Sequence, residues 1–182
     1  MDAKQVLEQG AYSCVIERDG VIVSARRGIG VKPLLSAHDR YPGEFLGASV
    51  ADRVIGKAAA MLLALGGVRE VYGQVMSESA AQFLTARGIV CRCGESVPFI
   101  SNRTHDGLCP IEQSVLALDD PEQGLRAIRA TVARLMAAAH RSGFAPPRQS
   151  PADNTRPFCR REASVRTAGW RLSKNFDSLR GG

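Results

Sequence analysis

The sequence lacks any uninterrupted apolar run near the roughly 18 to 20 residues that a membrane-spanning helix needs. Its most apolar stretch, residues 58–65, is too short for that role. The first ten residues lack the basic-then-apolar layout of a secretory signal peptide. The five cysteines are odd in number and lie mostly in apolar, strand-like surroundings, which favours reduced thiols. We therefore expect a cytoplasmic protein.

Aromatic residues are also scarce, at 5% of the chain, but the hydrophobic fraction of 45% is enough for a packed core. This composition excludes a wholly disordered chain, a collagen-like repeat and a disulfide miniprotein. Residues 1–140 hold 15 basic and 15 acidic side chains, whereas residues 141–182 hold 9 basic and 3 acidic ones. We expect one domain over residues 1–142 and a basic, largely disordered tail over residues 143–182, where the periodic apolar pattern disappears.

Strand-like and helix-like segments alternate along the predicted domain. Two β-rich runs separated by Asp19-Gly20 predict a hairpin. A helical period runs through residues 50–65, and Asp120-Pro121 supplies the N-cap and first-turn proline of the last helix. The other predicted elements are helices at residues 3–9, around Pro33, over 77–88 and from Cys109, and strands at 68–76, 89–93 and 97–100. This alternation predicts an α/β fold, a three-layer domain on a partly parallel sheet.

The predicted helix over residues 50–65 carries Arg53 and Lys57 four residues apart, which places both on one face. Two like charges on an otherwise apolar face repel each other unless an anion or a carboxylate neutralises them. One hypothesis is an anionic ligand at this position. The alternative is internal pairing with Glu78 or Glu112.

Other polar residues lie where predicted helices begin. Ser77-Glu78-Ser79 follows a strand and opens a helix, which is where α/β domains place ligands. Glu78 there favours proton transfer or amine binding over phosphate binding, and the alternative is simple capping by Ser77. Asp52 opens the helix of residues 50–65 in this prediction, where it would stabilise the helix dipole.

Cys109 precedes a predicted helix, whose dipole and free N–H groups would lower the pKa of its thiol. This arrangement suits a nucleophile, and Asn102 and Arg103 supply polar side chains just before it. The alternative is a small structural residue at the helix start, with Glu112 as its capping partner.

Cys91-x-Cys93 does not have the Cys-x2–4-Cys spacing of a zinc site, and two buried strand cysteines explain it better. We therefore expect no metal and no cofactor. Arginine in a basic tail is weak evidence for nucleic-acid binding, so we expect neither a nucleic acid nor a membrane as partner.

Several ordered strings of the sequence resemble one family. They are RGIGVKPLL, GASVADRVIGKAAAMLLALGGVREVY, SESA and NRTHDGLCPIEQSVLALDDPEQ. The family is domain-of-unknown-function family 1893, a bacterial and archaeal family with a cytidine-deaminase-like fold, and the similarity runs over about residues 13–128. It implies a three-layer α/β/α sandwich around a mixed, mostly parallel sheet of five strands.

Zinc deaminases place H/C-x-E at the start of the second helix and P-C-x-x-C at the start of the third. The resemblance matches these motifs to Val50-Ala51-Asp52 and to residues 75–79, which lack the zinc ligands. Without zinc no hydroxide forms at neutral pH, so deaminase activity is not expected. The pocket implied at these helix starts is lined by Asp52, Arg53, Lys57, Ser77, Glu78, Asn102, Arg103 and Cys109.

Three functions are compatible with these features. The first is a zinc-free deaminase-fold protein that binds a small nucleotide-like or other anionic metabolite, with Arg53 and Lys57 meeting the anion. The second is a metal-free enzyme with Cys109 as nucleophile and Lys57 or Glu78 as its acid–base partner. The third is a non-catalytic interaction protein that forms an oligomer, for which the resemblance implies a homodimer.

Overall fold

The computed structural model describes residues 2–41, 43–102, 104 and 106–141. The predicted tail and Arg103 lie outside the described residues. The elements are, in chain order, α1 (Ala3–Gln9), β1 (Cys14–Arg18), β2 (Val21–Arg26), α2 (Lys32–Arg40), β3 (Ser49–Ile55), α3 (Lys57–Leu65), β4 (Glu70–Ser77), α4 (Glu78–Thr85), β5 (Val90–Val97), α5 (Pro110–Gln113) and α6 (Pro121–Arg141). None of the described helices is long and apolar enough to cross a membrane.

The five strands form one mixed sheet in the order β2-β1-β3-β4-β5. Strand β1 pairs antiparallel with both β2 and β3, and β4 pairs parallel with both β3 and β5. The α/β class is therefore confirmed, but the described sheet is half parallel and not mostly parallel. In its parallel half, β3 is followed by α3 and β4 by α4, which are the crossover helices that parallel strands need.

The predicted hairpin is confirmed. Asp19 and Gly20 join β1 to β2 with φ angles of 53° and 77°. Both values lie in the left-handed region, which a two-residue hairpin turn of type I′ requires and which Asp-Gly adopts readily. This part of the fold follows from local chemistry alone.

The sheet buries a different set of side chains on each face. Cys14 and Ile16 of β1 join the main core, which also contains side chains of α2, α3, α4 and α6. Val15 and Ala51 point to the other face and pack with Leu7 of α1. Helices therefore contact both faces, and the larger core lies on the side of α3.

The predicted helix over residues 50–65 is wrong in its first half. Residues up to Ile55 form strand β3, and helix α3 begins only at Lys57. Its apolar residues fit a helical period, but the β-branched Val50, Val54 and Ile55 favour a strand, and Gly56 adopts an extended conformation that separates strand from helix. Asp52 and Arg53 consequently lie on a strand. The short strand predicted at 97–100 is also wrong, because β5 ends at Val97.

Candidate functional site

The carboxyl ends of β3 and β4 lie side by side, and each strand leads into a helix. Helix α3 begins at Lys57, directly after Gly56, and α4 begins at Glu78. Ser77 is the N-cap of α4, and its Oγ accepts a hydrogen bond of 3.3 Å from the Ala80 N–H. Two helix N-termini, with their free N–H groups and positive dipole ends, thus meet at one edge of the sheet.

The carboxylate of Glu112 fills the space between these two helix N-termini. Its Oε1 accepts from the Lys57 N–H at 2.9 Å and its Oε2 from the Ala58 N–H at 3.4 Å. Ser77 Oγ and Ser79 Oγ also donate to Oε1, at 3.0 Å and 3.2 Å. Glu112 is only 2% exposed. The protein's own carboxylate therefore takes the donors that an anionic ligand would use.

The approach of Glu112 depends on the glycine at position 56. A Cβ atom built on Gly56 would lie 2.3 Å from Glu112 Oε2 and 2.9 Å from its Cδ. Every residue type other than glycine would place a Cβ atom at position 56 in the space that the Glu112 carboxylate occupies.

Replacing Gly56 by alanine is expected to lower the free energy of unfolding by about 2 kcal/mol, because the new methyl group displaces the Glu112 carboxylate from its donors. Urea unfolding of the variant measures this loss. Gly107→Ala is the matched control, because its Cβ would meet only Asn102 Nδ2 at an ordinary 3.6 Å. Equal stability of the two variants would contradict the close contact.

The Lys57 ammonium is held by the segment that follows α5. Its Nζ donates to the Leu116 carbonyl at 2.6 Å and lies 3.5 Å from Asp119 Oδ1. The ring centroid of Phe83 is 5.9 Å away, and Lys57 is buried. Residues 112–119 thus bind both the backbone and the side chain of Lys57. The alternative of internal pairing is right in kind but wrong in partner, because the ammonium pairs with Asp119, whereas Glu112 accepts only from the backbone N–H of Lys57.

The prediction that Arg53 and Lys57 lie on the same face of one helix is wrong, because Arg53 lies on strand β3. Its Nε donates to the Tyr12 carbonyl at 2.7 Å and its Nη2 to the Gly10 carbonyl at 3.0 Å. Its Nη1 donates to Gln74 Oε1 at 3.3 Å. The guanidinium thus fastens the α1–β1 connection to the sheet and is occupied by protein acceptors.

Asp52 lies inside the sheet rather than at a helix start. It faces Cys14 across the β1–β3 pairing and is 7% exposed. Burial raises the pKa of Asp52 to about 7, although hydrogen bonds from the Val54 N–H at 3.0 Å and from the Cys14 thiol oppose the shift. Burial, and after it the Asp52 charge, raise the pKa of the Cys14 thiol well above its usual value.

A buried arginine that the sequence did not single out lies beside this pair. Arg26 faces Cys14 across the β1–β2 pairing, and its Nη2 bonds Glu44 Oε2 at 2.5 Å. Its Nη1 is buried and has no hydrogen-bond partner in the part of the chain that the structure describes. The sequence signal was an arginine at the end of an apolar strand, which is too common to mark a site.

The remaining predicted site residues lie apart from the Glu112 contacts. Cys109 is the N-cap residue of the four-residue α5, and no side-chain hydrogen bond caps this helix. In the described residues its thiol has no hydrogen bond to Lys57 or Glu78, so the nucleophile stays a prediction. Asn102 Nδ2 donates to Asp106 Oδ1 at 2.7 Å, so its side chain stabilises the loop that carries it. Glu78 is exposed in the first turn of α4.

A zinc ion does not fit the residues at the two helix starts. These are Lys57-Ala58-Ala59 and Glu78-Ser79-Ala80, with no imidazole or thiol among them. The match of Asp52 to the second-helix motif is wrong, since α3 begins five residues later. The described cysteines are free. The prediction of two buried strand cysteines is wrong, because both lie on the edge strand β5, where Cys91 is half-buried with its Sγ 3.9 Å from the Ala81 carbonyl and Cys93 is exposed. The described residues hold no group of three His, Cys, Asp or Glu side chains suited to a metal.

A groove of about 320 Å³ lies elsewhere, beside α1 on the other face of the sheet. It contains none of the predicted site residues. Its two basic side chains already have acidic neighbours, since Arg92 Nη1 lies 3.0 Å from Glu70 Oε1 and the Lys4 Nζ lies 3.8 Å from Glu8 Oε1. This groove therefore offers no unpaired basic side chain among its described lining residues to an anionic ligand.

A comparison with models of known protein families shows to which family the chain belongs. The family model described as "TM1506: Domain of unknown function (DUF1893)" matches residues 2–132. The chain belongs to the DUF1893 family.

A solved structure supports the same relationship. A DUF1893 family protein (TM1506) from Thermotoga maritima is 27% identical in sequence, with a TM-score of 0.62. The match covers 71% of this chain and 85% of that chain. No curated protein matches. The Glu112 contacts lie inside the DUF1893 region, whereas the last nine residues of α6 lie outside it.

Proposed function

We propose that this DUF1893 protein is a non-catalytic protein with a cytidine-deaminase-like α/β/α sandwich, which acts by binding a partner at its surface. One observation carries the proposal, namely that the Glu112 carboxylate fills the edge of the sheet where such a fold would hold a ligand. A cytoplasmic location and a homodimer stay predictions.

The chemistry of the filled site supports this proposal. The four donors around Glu112 are all used by its two oxygens, and the nearby Lys57 ammonium already has Leu116 and Asp119 as partners. A buried carboxylate with this many hydrogen bonds is costly to remove. At the starts of α3 and α4, Ser77, Ser79 and the Lys57 ammonium are therefore all occupied by acceptors of the protein itself.

A second function is favoured by the same donors. Two helix N–H groups, two serine hydroxyls and a lysine form a set suited to a carboxylate or phosphate. A small nucleotide-like or other anionic metabolite would bind here by displacing Glu112, and Lys57 would meet the anion. This function requires α5 to move, because Glu112 is carried by that helix.

Calorimetric titration and thermal unfolding distinguish the two functions. The probes are inorganic phosphate, acetate and cytidine 5′-monophosphate, with sodium chloride as the ionic-strength control. If the site is permanently closed, wild type gives no saturable heat with any probe, whereas acetate raises the melting temperature of Glu112→Ala. Saturable binding to wild type that is lost in Lys57→Ala and Ser77→Ala would overturn the first proposal and support the second.

A further inference from the structure

Three neighbouring strands carry a row of buried polar side chains. Cys14 of β1 lies opposite Arg26 of β2 on one side and opposite Asp52 of β3 on the other. Because residues directly opposite each other in antiparallel strands share one face of the sheet, all three side chains point to the face that carries the main core. Cys14 is 0%, Arg26 2% and Asp52 7% exposed. We name these three residues the polar row.

Arg26 uses only part of its guanidinium. Its Nη2 donates to Glu44 Oε2 at 2.5 Å, and its Cζ lies 5.7 Å from the centre of the Tyr41 ring. Its Nη1 is buried and has no acceptor among the residues that the structure describes. A buried donor of a charged group without an acceptor is costly, and nearly all buried polar groups in native proteins have a partner. The unpaired Nη1 therefore needs an acceptor that this state of the protein does not supply.

The carboxyl group of Asp52 lies at a suitable distance to become that acceptor. Arg26 and Asp52 lie on either side of Cys14, so their Cα atoms are two strand spacings, or about 10 Å, apart. The long side chain of arginine and the carboxyl group of Asp52 together span this gap, and only the small Cys14 side chain lies between them. Arg26 can therefore approach Asp52 across the core face of β1.

Within the described chain, the other groups next to Asp52 leave this approach open. The Cys14 thiol donates to its carboxyl group, and Gly73, the facing residue of β4, has no side chain. Arg53 is the next residue along β3, and its charge favours the ionised form of Asp52. The Arg53 guanidinium, however, already donates to two backbone carbonyls of the α1–β1 connection and to a glutamine side chain of β4.

The helices that pack against this face have their own partners for their titratable groups. The His38 ring of α2 lies 2.6 Å from a backbone carbonyl of α3, and the Lys57 ammonium is held by the segment that follows α5. Arg26 and Glu44 form the ion pair beside the polar row, and this pair carries no net charge. Ionisation of Asp52 adds one buried negative charge, which requires a partner. Burial raises the pKa of Asp52 to about 7, so both of its forms are populated near neutral pH.

We propose that the polar row is a pH-sensitive switch. When Asp52 releases its proton to the solvent, Arg26 Nη1 becomes the donor to the carboxylate while Nη2 stays on Glu44. One guanidinium then holds two carboxylates, as the fork of arginine donors allows, and fastens the β1–β2 hairpin to β3. When Asp52 takes up a proton, this bond is lost and Nη1 returns to its unpaired position. An anionic ligand is a poorer acceptor for Nη1, because the Glu44 and Asp52 carboxylates would repel it.

NMR titration of the full chain across neutral pH tests this switch. The Asp52 carboxyl carbon and the Arg26 guanidinium nitrogens are expected to change chemical shift with the same midpoint, because one proton controls both. In Asp52→Asn the change at Arg26 near neutral pH should disappear. Arg26 signals that stay constant through the Asp52 midpoint overturn the switch. A change at Arg26 that persists in Asp52→Asn also overturns it, since Glu44 would then be the group that titrates.

Removal of the guanidinium gives a second readout. Arg26→Met has a side chain without a donor, so we expect the midpoint of Asp52 to rise by about one pH unit, a tenfold drop in its acid dissociation constant. Arg69→Met is the matched control. The exposed Arg69 donates to Ser49 Oγ at 3.0 Å on the same strand β3, and its loss should leave the midpoint of Asp52 unchanged.

Arg26→Lys separates a direct bond from simple attraction between charges. Lysine keeps the positive charge but lacks the fork that holds two carboxylates at once, so the midpoint of Asp52 is expected to rise in this variant as well. An equal midpoint in Arg26→Met and wild type overturns the switch. A midpoint that rises in Arg26→Met but not in Arg26→Lys shows that charge alone acts, and it overturns the direct bond. The wild-type titration decides the question if neither variant folds.

Discussion

Glu112→Ala is expected to lower the free energy of unfolding by about 3–5 kcal/mol. The substitution removes the acceptor of the Lys57 and Ala58 N–H groups and of two serine hydroxyls, all in a buried position. These donors lose their acceptor at a position where the native side chain is only 2% exposed. Urea or thermal unfolding followed by circular dichroism measures the loss.

Two further variants keep this prediction testable if the alanine variant does not fold. Glu112→Gln retains shape and one acceptor oxygen but turns an amide NH2 toward donors, so we expect a loss of about 2 kcal/mol. Glu122→Ala is the control, because the exposed Glu122 makes only an i,i+4 ion pair with Arg126 and should change stability by less than about 0.5 kcal/mol. A Glu112→Ala protein as stable as the Glu122→Ala control would show that the carboxylate does not hold the two helix starts together.

Asp52→Asn is expected to become more stable relative to wild type as the pH rises from 4 to 8, by about 4 kcal/mol in total. The pKa of Asp52 is about 7 in the folded protein, compared with 3.8 for the ordinary carboxyl. Between these two values the folded state holds a proton that the unfolded state has released. The free energy of unfolding of wild type therefore falls as the pH rises, until the pH passes about 7. The asparagine of the variant does not titrate, so the variant does not lose stability in this way.

Urea unfolding of both proteins at several pH values measures this difference, and NMR titration of the Asp52 carboxyl carbon locates its midpoint directly. Asp106→Asn should behave with the opposite sign. Hydrogen bonds from Asn102 and Thr104 lower the pKa of Asp106, so ionised Asp106 adds stability that is lost as pH falls. An Asp52 midpoint near 4, together with a flat stability difference, would rule out the buried neutral carboxyl.

Much of the fold follows from short stretches of sequence. Asp19-Gly20 predicts the hairpin because its residues accept the left-handed backbone that the turn needs. Pro121 and the Asp120 Oδ1, which accepts from the Glu122 N–H at 3.0 Å, start α6 where the sequence indicates. These features depend on residues within a few positions of each other, and the structure confirms both.

The candidate site could be predicted only in outline. Ser77 lies at a helix start as predicted, whereas Lys57 begins α3 instead of lying inside a helix over residues 50–65. Glu112 was among the expected partners of Lys57, but it contacts the backbone of Lys57 and leaves the ammonium to Asp119. Arg53 could not be placed, because apolar residues at 50, 54 and 58 satisfy a helical period and a strand followed by a helix equally well. Pairing with β1 and β4 decided in favour of the strand.

Short-range sequence patterns were enough to predict the α/β class, the hairpin, most helix starts, the lack of zinc ligands and the concentration of positive charge after residue 140. Tertiary structure alone decided that Glu112 reaches Lys57 across 55 positions of the chain and that Asp52 is buried opposite Cys14. The difference lies in how far apart along the chain the interacting residues are. Turns and caps depend on neighbouring residues, whereas burial and long-range hydrogen bonds depend on which elements the whole sheet brings together.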